Sequence, residues 1–337
     1  MRAIEIRDAF GLDHLTLTER ADPSPGAGQI VVAMRAACLN FRDLLMVRGH
    51  YDPRQALPLI PCSDGAGVVE AIGAGVTRVG VGDRVMPIFA QDWLAGSPDW
   101  DVLRTTLGGP RDGTLVDKML LDAHGVVKIP EHLTDVEAAC LPCAGVTAWS
   151  ALVSQGEVKA GDTVLVQGTG GVSLFALQFA KMLGARVIAT SSSDAKLERV
   201  RALGADHTIN YVDDPDWGRT TKALSSGGVD HVVEVGGAKT LSQSIKAARP
   251  GAVISMIGVL SGAREPLNIT PILMRNLRLQ GIFVGSRADF EDMCRAVEVH
   301  TMRPVLDETF ELEAASDAFS RMASGAHFGK VTLTHGV

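Results

Sequence analysis

The stretch TVLVQGTGGVS, residues 163–173, decides the fold of the chain. An apolar run that ends at Gln167 leads directly into glycines, and an apolar helix pattern over residues 172–183 follows. This order of strand, tight glycine turn and helix start leaves backbone N–H groups and the helix dipole free to hold a pyrophosphate. A glycine turn with a purely structural role is the alternative. Ser173 replaces the usual third glycine, and it either loosens helix–strand packing or adds a hydroxyl for a phosphate. The residues predicted to bind a dinucleotide here are Gly168, Thr169, Gly170, Gly171 and Val172.

The pattern of apolar residues changes along the chain. From about residue 130, continuous apolar runs alternate with helix patterns, which is typical of a parallel sheet covered on both faces. The predicted strands of this part are Thr163–Gln167, Arg186–Thr190, His207–Asn210, His231–Val235, Ala252–Ile257 and Leu279–Val284. Two intervening helices end at Gly184 and Gly204, which suit the left-handed position after a helix. We predict a doubly wound α/β sheet here.

The first part of the chain carries short β-rich runs instead. Pro and Gly separate these runs, which are Gln29–Arg35, Gly67–Ile72, Arg84–Ile88 and Val126–Ile129, and we predict an all-β roll. The end of the chain has helix patterns at 289–300 and 314–324 and strand patterns at 305–312 and 330–334. Because the chain both begins and ends with strands, we expect the last strand to return to the first domain.

Composition and charge exclude several classes of protein. The 337 residues favour two domains, and 46% hydrophobic with 21% charged residues are typical of a globular chain. The formal net charge of −7 does not suit a nucleic-acid binder. Five cysteines, an odd number, argue against a disulfide framework, so a reducing, cytoplasmic location is expected. We find neither a signal-peptide pattern nor an apolar run of about 18 residues that could span a membrane.

The residues after the second sheet strand bear on the choice between NAD and NADP. A ribose-binding carboxylate is expected about 20 residues past the first glycine, but Thr190 and three serines stand there. Hydroxyl groups and the nearby Lys196 would receive a 2′-phosphate, which a carboxylate would repel. Asp194 argues for NAD, although at a helix start it is equally well explained as a cap. We predict that NADP(H) is favoured over NAD(H), with Ser191, Ser192 and Lys196 at the phosphate.

Several segments together are similar to one known family. They are Leu39–Asp43, Pro58–Gly67, Cys143–Ala148, the glycine segment from Gly168, Leu203–Asp206 and His327–Lys330. Taken in order over nearly the whole chain, they resemble the medium-chain dehydrogenase/reductase superfamily, and within it the zinc-independent quinone oxidoreductase and alcohol dehydrogenase-like branch. The resemblance implies an NAD(P)-dependent oxidoreductase. It also implies a GroES-like catalytic domain, residues 1–124 and 286–337, around a Rossmann dinucleotide-binding domain, residues 125–285.

The resemblance also bears on a metal. Zinc-dependent members of the superfamily hold a catalytic zinc at positions that match Asn40, Ser63 and Cys143. An amide and a hydroxyl are poor replacements for a thiolate and an imidazole on Zn²⁺. The stretch Phe89–Gly113, where relatives often carry a structural zinc, contains no cysteine. Cys140 and Cys143 have the spacing of half a zinc site but lack a second pair, so we predict no bound metal.

The resemblance assigns a small set of residues to the chemistry. Asn40, Asp43, Tyr51 and Ser63 are expected around the nicotinamide face or the substrate cleft, and Thr147 near the nicotinamide. Asn40 would supply an amide donor, and Tyr51 would give a proton or a hydrogen bond to the developing oxyanion. Two alternatives stay open. Tyr51 can be an aromatic lid that only shapes the pocket, and Asp43 and Asp64 can be structural anchors for Arg42 or nearby backbone.

Further cofactor contacts are expected at the carboxyl ends of the parallel strands, where an open α/β sheet binds its ligand. The residues predicted to hold the carboxamide there are Gly258, Val259, Phe283, Val284 and Gly285. By the resemblance, Tyr211 packs on the adenosine side and Lys330 joins the cofactor site. Packing alone is the alternative for Val259 and Phe283, and a loop role is the alternative for Tyr211.

Without a metal to polarise a carbonyl, a conjugated acceptor is the easier substrate. Hydride addition to the far carbon of an enone or quinone leaves a delocalised anion, which hydrogen bonds can stabilise. We therefore expect NADPH-dependent reduction of a quinone or an α,β-unsaturated carbonyl compound, or turnover of a related alcohol/aldehyde pair. A zinc-type alcohol dehydrogenase and a non-catalytic NADPH-binding protein are the alternatives. The apolar edge strand Leu279–Val284 and the resemblance predict a homodimer, with neither nucleic acid nor membrane as a partner.

Overall fold

The structure is a computed structural model that describes residues 1–336. The strands, in chain order, are β1 (Arg2–Ile6), β2 (Leu15–Glu19), β3 (Gln29–Cys38), β4 (Asp64–Ile72), β5 (Arg84–Pro87), β6 (Lys118–Asp122), β7 (Val126–Lys128), β8 (Thr163–Gln167), β9 (Arg186–Ser191), β10 (His207–Asn210), β11 (Val229–Glu234), β12 (Ala248–Met256), β13 (Arg278–Gly281), β14 (Leu306–Glu311) and β15 (Lys330–Thr334). The helices are α1 (Phe41–Val47), α2 (Asp135–Ala138), α3 (Val146–Trp149), α4 (Gly171–Met182), α5 (Asp194–Ala202), α6 (Trp217–Leu224), α7 (Ala238–Ala247), α8 (Thr270–Met274), α9 (Arg287–Val299) and α10 (Ala315–Ala323). Over residues 1–336, no helix is both long enough and apolar enough to cross a membrane.

The chain divides into two units. One consists of residues 1–146 and 285–336, and the other of Thr147–Val284. The sequence placed the first boundary at 124/125, but residues 125–146 lie with the first unit because β7 pairs with β5 and the Arg84 guanidinium binds the Asp135 carboxylate at 2.7 Å. The second boundary falls one residue before the predicted one. Both ends of the chain therefore contribute to the first unit.

The second unit holds a six-stranded sheet in which every pair of neighbours is parallel. The strand order is β10-β9-β8-β11-β12-β13, which is the order of a doubly wound sheet. All five residues of β8 are buried, as expected for a central strand with both faces covered. The predicted doubly wound parallel sheet is thus confirmed, and each of the six predicted runs overlaps one of its strands.

The sixth strand differs most from its prediction. The apolar run Leu279–Val284 was expected to form it, but β13 ends at Gly281. Val284 is buried and its φ of 46° lies in the left-handed region, so the backbone leaves the extended conformation before the apolar run is complete. β13 does lie at the edge of the sheet, as predicted.

The first unit is built on a mainly antiparallel sheet with the order β14-β15-β3-β4-β5-β7, and β6 also pairs with β3. β15 runs antiparallel to β3, with Thr332 opposite Cys38. The last strand therefore returns to the first sheet, as the order of strands predicted. Side chains from β3, α1 and β15 share one core, in which Ile30, Leu44 and Leu333 are fully buried.

One helix of this unit was not expected in an all-β roll. The backbone N–H of Asn40 donates to Asp43 Oδ2 at 2.7 Å, which closes a capping box at the start of α1. Leu44, Met46 and Val47 then bury one face of the helix. The capping pair was visible in the sequence at a spacing of three residues, and it is the signal that could have predicted α1.

We expect Gly67→Ala to destabilise the first unit, because a Cβ at this position of β4 would lie 2.3 Å from the carbonyl oxygen of Ala33. Relieving a contact with backbone requires the β3–β4 pair to shift, so the free energy of unfolding should fall by about 2 kcal/mol or more. Denaturant unfolding measures the change. Gly80→Ala is the matched control, since its added methyl would meet nothing within 4 Å. Equal stability of the two variants would contradict the packing argument.

Candidate active site

A cluster of buried polar side chains lies in the first unit, at the start of α1, β4 and β15. Its members are Asn40, Asp43, Ser63, Asp64 and Lys330, each at most 8% exposed. Burial of so many polar groups is unfavourable unless they satisfy one another. Three of the four predicted catalytic residues, Asn40, Asp43 and Ser63, are thereby joined by direct hydrogen bonds or by the shared cap of α1.

The hydrogen bonds of the cluster run in one direction. Lys330 Nζ donates to the Oδ1 atom of Asn40 at 2.6 Å and to the carbonyl oxygen of Leu39 at 2.9 Å. Since an ammonium can only donate, it fixes the amide with Nδ2 toward Ser63 Oγ, at 3.4 Å. Ser63 Oγ then donates to Asp64 Oδ1 at 3.1 Å, and the N–H of Cys143 donates to Asp64 Oδ2 at 3.1 Å. The chain leads from a buried cation to a buried carboxylate.

Two cations balance the two carboxyl groups of the cluster. Burial raises the pKa of Asp43 to about 6, while the Arg42 guanidinium, 3.6 Å from Asp43 Oδ1, opposes the rise and Asp64 adds to it. Burial also raises the pKa of Asp64, and Lys330 opposes that rise. With Arg42 and Lys330 charged, the cluster is close to neutral when both aspartates are ionised.

Tyr51 is not part of this buried cluster. Its ring is 43% exposed, and the Arg42 guanidinium lies 4.8 Å from its centroid and 4.8 Å from the centroid of Phe89. The two Nη atoms of Arg42 donate to the carbonyl oxygens of Leu107 and Gly109. A fixed cation therefore holds an exposed phenol beside the cluster. Arg42, which the sequence analysis named only as the partner of an anchoring aspartate, connects Tyr51 with Asp43 in the interior.

The three positions that match zinc ligands do not fit a zinc ion. The Oδ1 atom of Asn40 already accepts from an ammonium, and Ser63 offers only a neutral hydroxyl. Burial raises the pKa of the Cys143 thiol, and Asp64 raises it further, so the thiolate that zinc requires is disfavoured. Within residues 1–336, the one trio of possible metal ligands is Asp92, Asp122 and His124, none of which belongs to the cluster.

The glycine segment of the second unit connects β8 to α4 and leaves open space beside it. Gly168 has a φ of 74°, and a Cβ added to Gly168 or Gly170 would meet nothing within 4 Å. Gly170 caps the N-terminus of the twelve-residue helix α4. Ser173 Oγ donates to the Gln167 carbonyl oxygen at 2.6 Å, so this side chain clamps the helix to the strand and does not loosen their packing. The segment fits a phosphate-bearing ligand that approaches the backbone closely.

A buried carboxylate that sequence reasoning missed fixes the neighbouring loop. Glu234, at the end of β11, is fully buried. Its donors are the N–H groups of Gly236 and Gly237 at 2.9 Å each, Thr240 Oγ1 at 2.6 Å, Ser244 Oγ, and Gln167 Nε2 at 2.8 Å. Because Gln167 directly precedes Gly168, Glu234 ties the loop after β11 to the glycine segment. The sequence signal for this site was a glutamate at the end of a predicted strand, followed within a few residues by glycines and hydroxyl side chains.

Most of the other predicted cofactor residues of the second unit lie at or just after the carboxyl ends of the sheet strands. Thr147 comes before the first strand of that sheet. Ser191 ends β9 and its carbonyl oxygen accepts from the N–H of Tyr211, whose ring is exposed. Ser192 is exposed, and Lys196 lies in the first turn of α5. The cap of α5 is Ser193 and not Asp194, whose carboxylate accepts from Asn210.

The remaining predictions divide between the two units. Gly258 packs against the loop after β11, where a Cβ would lie 2.5 Å from the Val235 carbonyl oxygen. The other members of this group in the second unit are exposed Val259, half-buried Phe283, buried Val284 and buried Thr147. Gly285 and Lys330 belong to the first unit. Lys330 is held there by Asn40 and Leu39.

Comparison with known proteins gives a consistent assignment. Residues 26–131 match the alcohol dehydrogenase GroES-like domain, and residues 171–298 match the zinc-binding dehydrogenase domain. The chain is 44% identical to a zinc-type alcohol dehydrogenase-like protein of Schizosaccharomyces pombe, over 99% of both chains. It is 28% identical to an acryloyl-coenzyme A reductase of Sulfurisphaera tokodaii, over 94% of this chain and 95% of that one.

Solved structures agree with these relatives. An NAD-dependent alcohol dehydrogenase superposes with a TM-score of 0.91 at 34% identity and covers 100% of both chains. A mycobacterial protein in complex with NADPH superposes with a TM-score of 0.83 at 27% identity, over 99% of this chain and 100% of that one. The fold is therefore shared with proteins that use either nicotinamide dinucleotide.

We expect Glu234→Ala to weaken both folding and cofactor binding. The substitution leaves two backbone N–H groups and three side-chain donors without their buried acceptor. The free energy of unfolding should fall by roughly 3 kcal/mol, and the dissociation constant of NADPH should rise. Chemical denaturation and calorimetric titration measure the two effects. Glu198→Ala, on an exposed residue of α5, should change neither, and a stable Glu234→Ala protein with unaltered NADPH affinity would refute the assigned role.

We expect Asp43→Asn to flatten the pH dependence of stability. The pKa of Asp43 is about 6 in the folded protein against an ordinary 3.8, so the folded state binds more protons than the unfolded state between these values. Wild-type stability should therefore fall as the pH rises from about 4 to 6, by roughly 3 kcal/mol from this residue, and stay level above. The side-chain oxygen of the new asparagine can still accept the hydrogen bond from the backbone N–H of Asn40, so the cap of α1 is kept. Unfolding curves at several pH values test this, with exposed Asp101→Asn as control, and parallel profiles of wild type and Asp43→Asn would speak against it.

Proposed function

The chain belongs to the medium-chain dehydrogenase/reductase superfamily, and on that premise we propose that it reduces a quinone or an α,β-unsaturated carbonyl compound with hydride from NADPH, without a metal ion. The coarser statement, that it is an NAD(P)-dependent oxidoreductase, follows from its membership and its relatives. The single observation that carries the proposal is the hydrogen-bonded cluster of the first unit. It offers an amide, a hydroxyl and a protonated thiol where zinc-dependent relatives need metal ligands.

The poor metal donors at positions 40, 63 and 143 support a conjugated acceptor as the substrate class. A simple ketone needs a strong electrophile at its oxygen, which a metal ion commonly supplies. In a conjugated acceptor the negative charge spreads over several atoms, so hydrogen-bond donors suffice to stabilise it. Tyr51 offers an exposed phenol that Arg42 holds in place, and Asn40 offers an amide with a fixed orientation. We assign Tyr51 to the oxygen of the substrate as hydrogen-bond or proton donor. The relative that reduces acryloyl-coenzyme A supports this class of acceptor.

NADPH is preferred to NADH in this proposal. The hydroxyl of Ser191 and the exposed Ser192 precede Lys196, which places positive charge in the first turn of α5. Asp194, the one acidic residue there, is occupied by the Asn210 amide at 2.9 Å. The structure with bound NADPH supports the choice, and the NAD-dependent relative is the reason to test both cofactors.

A second candidate reaction is the interconversion of an alcohol and an aldehyde. The names of the Schizosaccharomyces pombe protein and of the NAD-dependent alcohol dehydrogenase favour it. The cluster around Asn40 does not, because it lacks the ligands with which a zinc-type enzyme activates an alcohol. A non-catalytic NADPH-binding protein would keep the glycine segment without any use for the buried chain of hydrogen bonds.

We further propose a cytoplasmic homodimer. β13 forms a sheet edge, and the exposed apolar residues Ile269, Leu273 and Met274 lie in or beside α8, just before that strand. An open strand edge with apolar neighbours favours pairing with a second copy of the chain. All five cysteines are unpaired, including Cys38 and Cys140, whose sulfurs are 3.4 Å apart, and free thiols suit a reducing compartment.

The test is oxidation of NADPH and of NADH with a panel of quinones, α,β-unsaturated aldehydes and ketones, and simple ketones, followed by nicotinamide absorbance. Alcohols are offered with NADP⁺ and NAD⁺. We expect turnover of conjugated acceptors with NADPH, little with simple ketones, and no change after dialysis against a chelator. Activity that a chelator abolishes and zinc restores would reject the metal-free mechanism. Binding of NADPH without any turnover would identify a non-catalytic protein.

A further inference from the structure

We propose that Lys330 is the built-in cation of the site, which orients the Asn40 amide and supplies the positive charge that a metal ion would otherwise bring. The inference rests on the proposed metal-free function and deepens it. Nothing in the sequence motifs assigned this position to Lys330, which the resemblance placed with the cofactor. It follows from where the ammonium lies and from what it contacts.

The burial of Lys330 shows that its charge belongs to the cluster. The residue is 3% exposed, and a buried ammonium is unfavourable unless it has acceptors and a compensating charge. The acceptors are the Asn40 Oδ1 atom and the Leu39 carbonyl oxygen. The compensating charge is Asp64, to which the ammonium is linked through Asn40 and Ser63. Because the ammonium is enclosed in this way, water cannot take its place as the partner of the Asn40 amide.

The position of the ammonium also opposes a metal ion. A zinc ion bound through the side chain at position 40 would share that side chain with the Lys330 ammonium, whose Nζ lies 2.6 Å from Oδ1. Two cations bound to one side chain repel each other strongly in a buried site, where little water screens them. The same repulsion would oppose zinc even if better ligands were present. Lys330 and a metal are therefore alternatives at this place.

The orientation of Asn40 is the second consequence. A flipped amide would direct its NH₂ group at the ammonium, donor against donor, so Lys330 locks Nδ2 on the side of Ser63. Without the lysine both orientations would become accessible. Lys330 is thus a positioning residue that acts through Asn40.

The first experiment measures zinc affinity and needs no substrate. The double substitution Asn40→Cys/Ser63→His restores a thiol and an imidazole at the two positions that, with Cys143, match zinc ligands. Competition with a chromophoric chelator gives the zinc dissociation constant of this variant. We expect the further substitution Lys330→Met to tighten zinc binding about tenfold or more, because the repelling charge is gone. Lys118→Met in the same double variant removes a lysine that pairs with Asp22 and Glu70, and it should have no such effect. Equal affinity with and without Lys330, or no zinc binding once it is removed, overturns the proposal.

The second experiment separates orientation from cofactor binding by steady-state kinetics. Lys330→Met should lower kcat about tenfold while the KM for NADPH changes less than about threefold. In an Asn40→Ala background the same substitution should cost less than about twofold, since the two residues act as one unit. Lys330→Gln keeps a donor for Asn40 without the charge, so it should retain more activity than Lys330→Met and provides a second variant if the latter does not fold.

A raised KM for NADPH with intact kcat would assign Lys330 to the cofactor and overturn the inference. The inference would also fail if Lys330→Met lowered kcat by the same factor in the Asn40→Ala background as in the wild type. If the wild-type chain reduces no acceptor, the proposed function fails. The zinc measurement still decides the role of Lys330 in that case, so the two failures can be told apart.

Discussion

Charge neutrality inside the first unit is the constraint on which the rest of the structure depends. Asp43 and Asp64 are buried in one cluster, and each would destabilise the fold as a lone anion. Arg42 and Lys330 compensate them from two different parts of the sequence. Because Lys330 begins β15, the pairing of β15 with β3 is what brings the second cation to its place. The fold of this unit and the electrostatics of its candidate site are therefore one arrangement.

The second unit solves a similar problem without any cation. Glu234 is as deeply buried as the two aspartates, yet its contacts are N–H and hydroxyl groups from a loop and from α7, together with Gln167. Neutral donors compensate a carboxylate only if they are held in place, so the anion and the loop stabilise each other. The result is a rigid loop beside the glycine segment, where a dinucleotide requires a preformed backbone surface. The cluster in which cations compensate Asp43 and Asp64 belongs to the unit with the proposed chemistry. The cluster in which neutral donors compensate Glu234 belongs to the unit with the glycine segment.

The sequence allowed prediction of features that depend on local patterns. The glycine segment and the parallel sheet follow from residues that are neighbours or keep a regular spacing, whereas Asn40 and Ser63 were singled out by the resemblance to a known family. The contact between Lys330 and Asn40 does not, because the two are 290 residues apart and a lysine at the start of a strand looks like a surface residue. For the same reason the sequence assigned residue 125 onward to the second domain, whereas β7 pairs with β5, which lies far earlier in the chain. Ser173 was recognised, but only three-dimensional placement showed where its hydroxyl donates.

The pairing of β15 with β3 has a consequence for biosynthesis. The elements that hold the glycine segment, from β8 to the loop after β12, are contiguous in the chain and are complete before β15 is translated. The acidic interior is not, because its ammonium is translated 290 residues after the amide that it contacts. Until then Ala36–Cys38, which later pair with β15, present an open strand edge to other nascent chains. The order of translation therefore leaves the buried aspartates without their second cation for longest. A prematurely terminated product would contain every strand of the parallel sheet but an incomplete first unit.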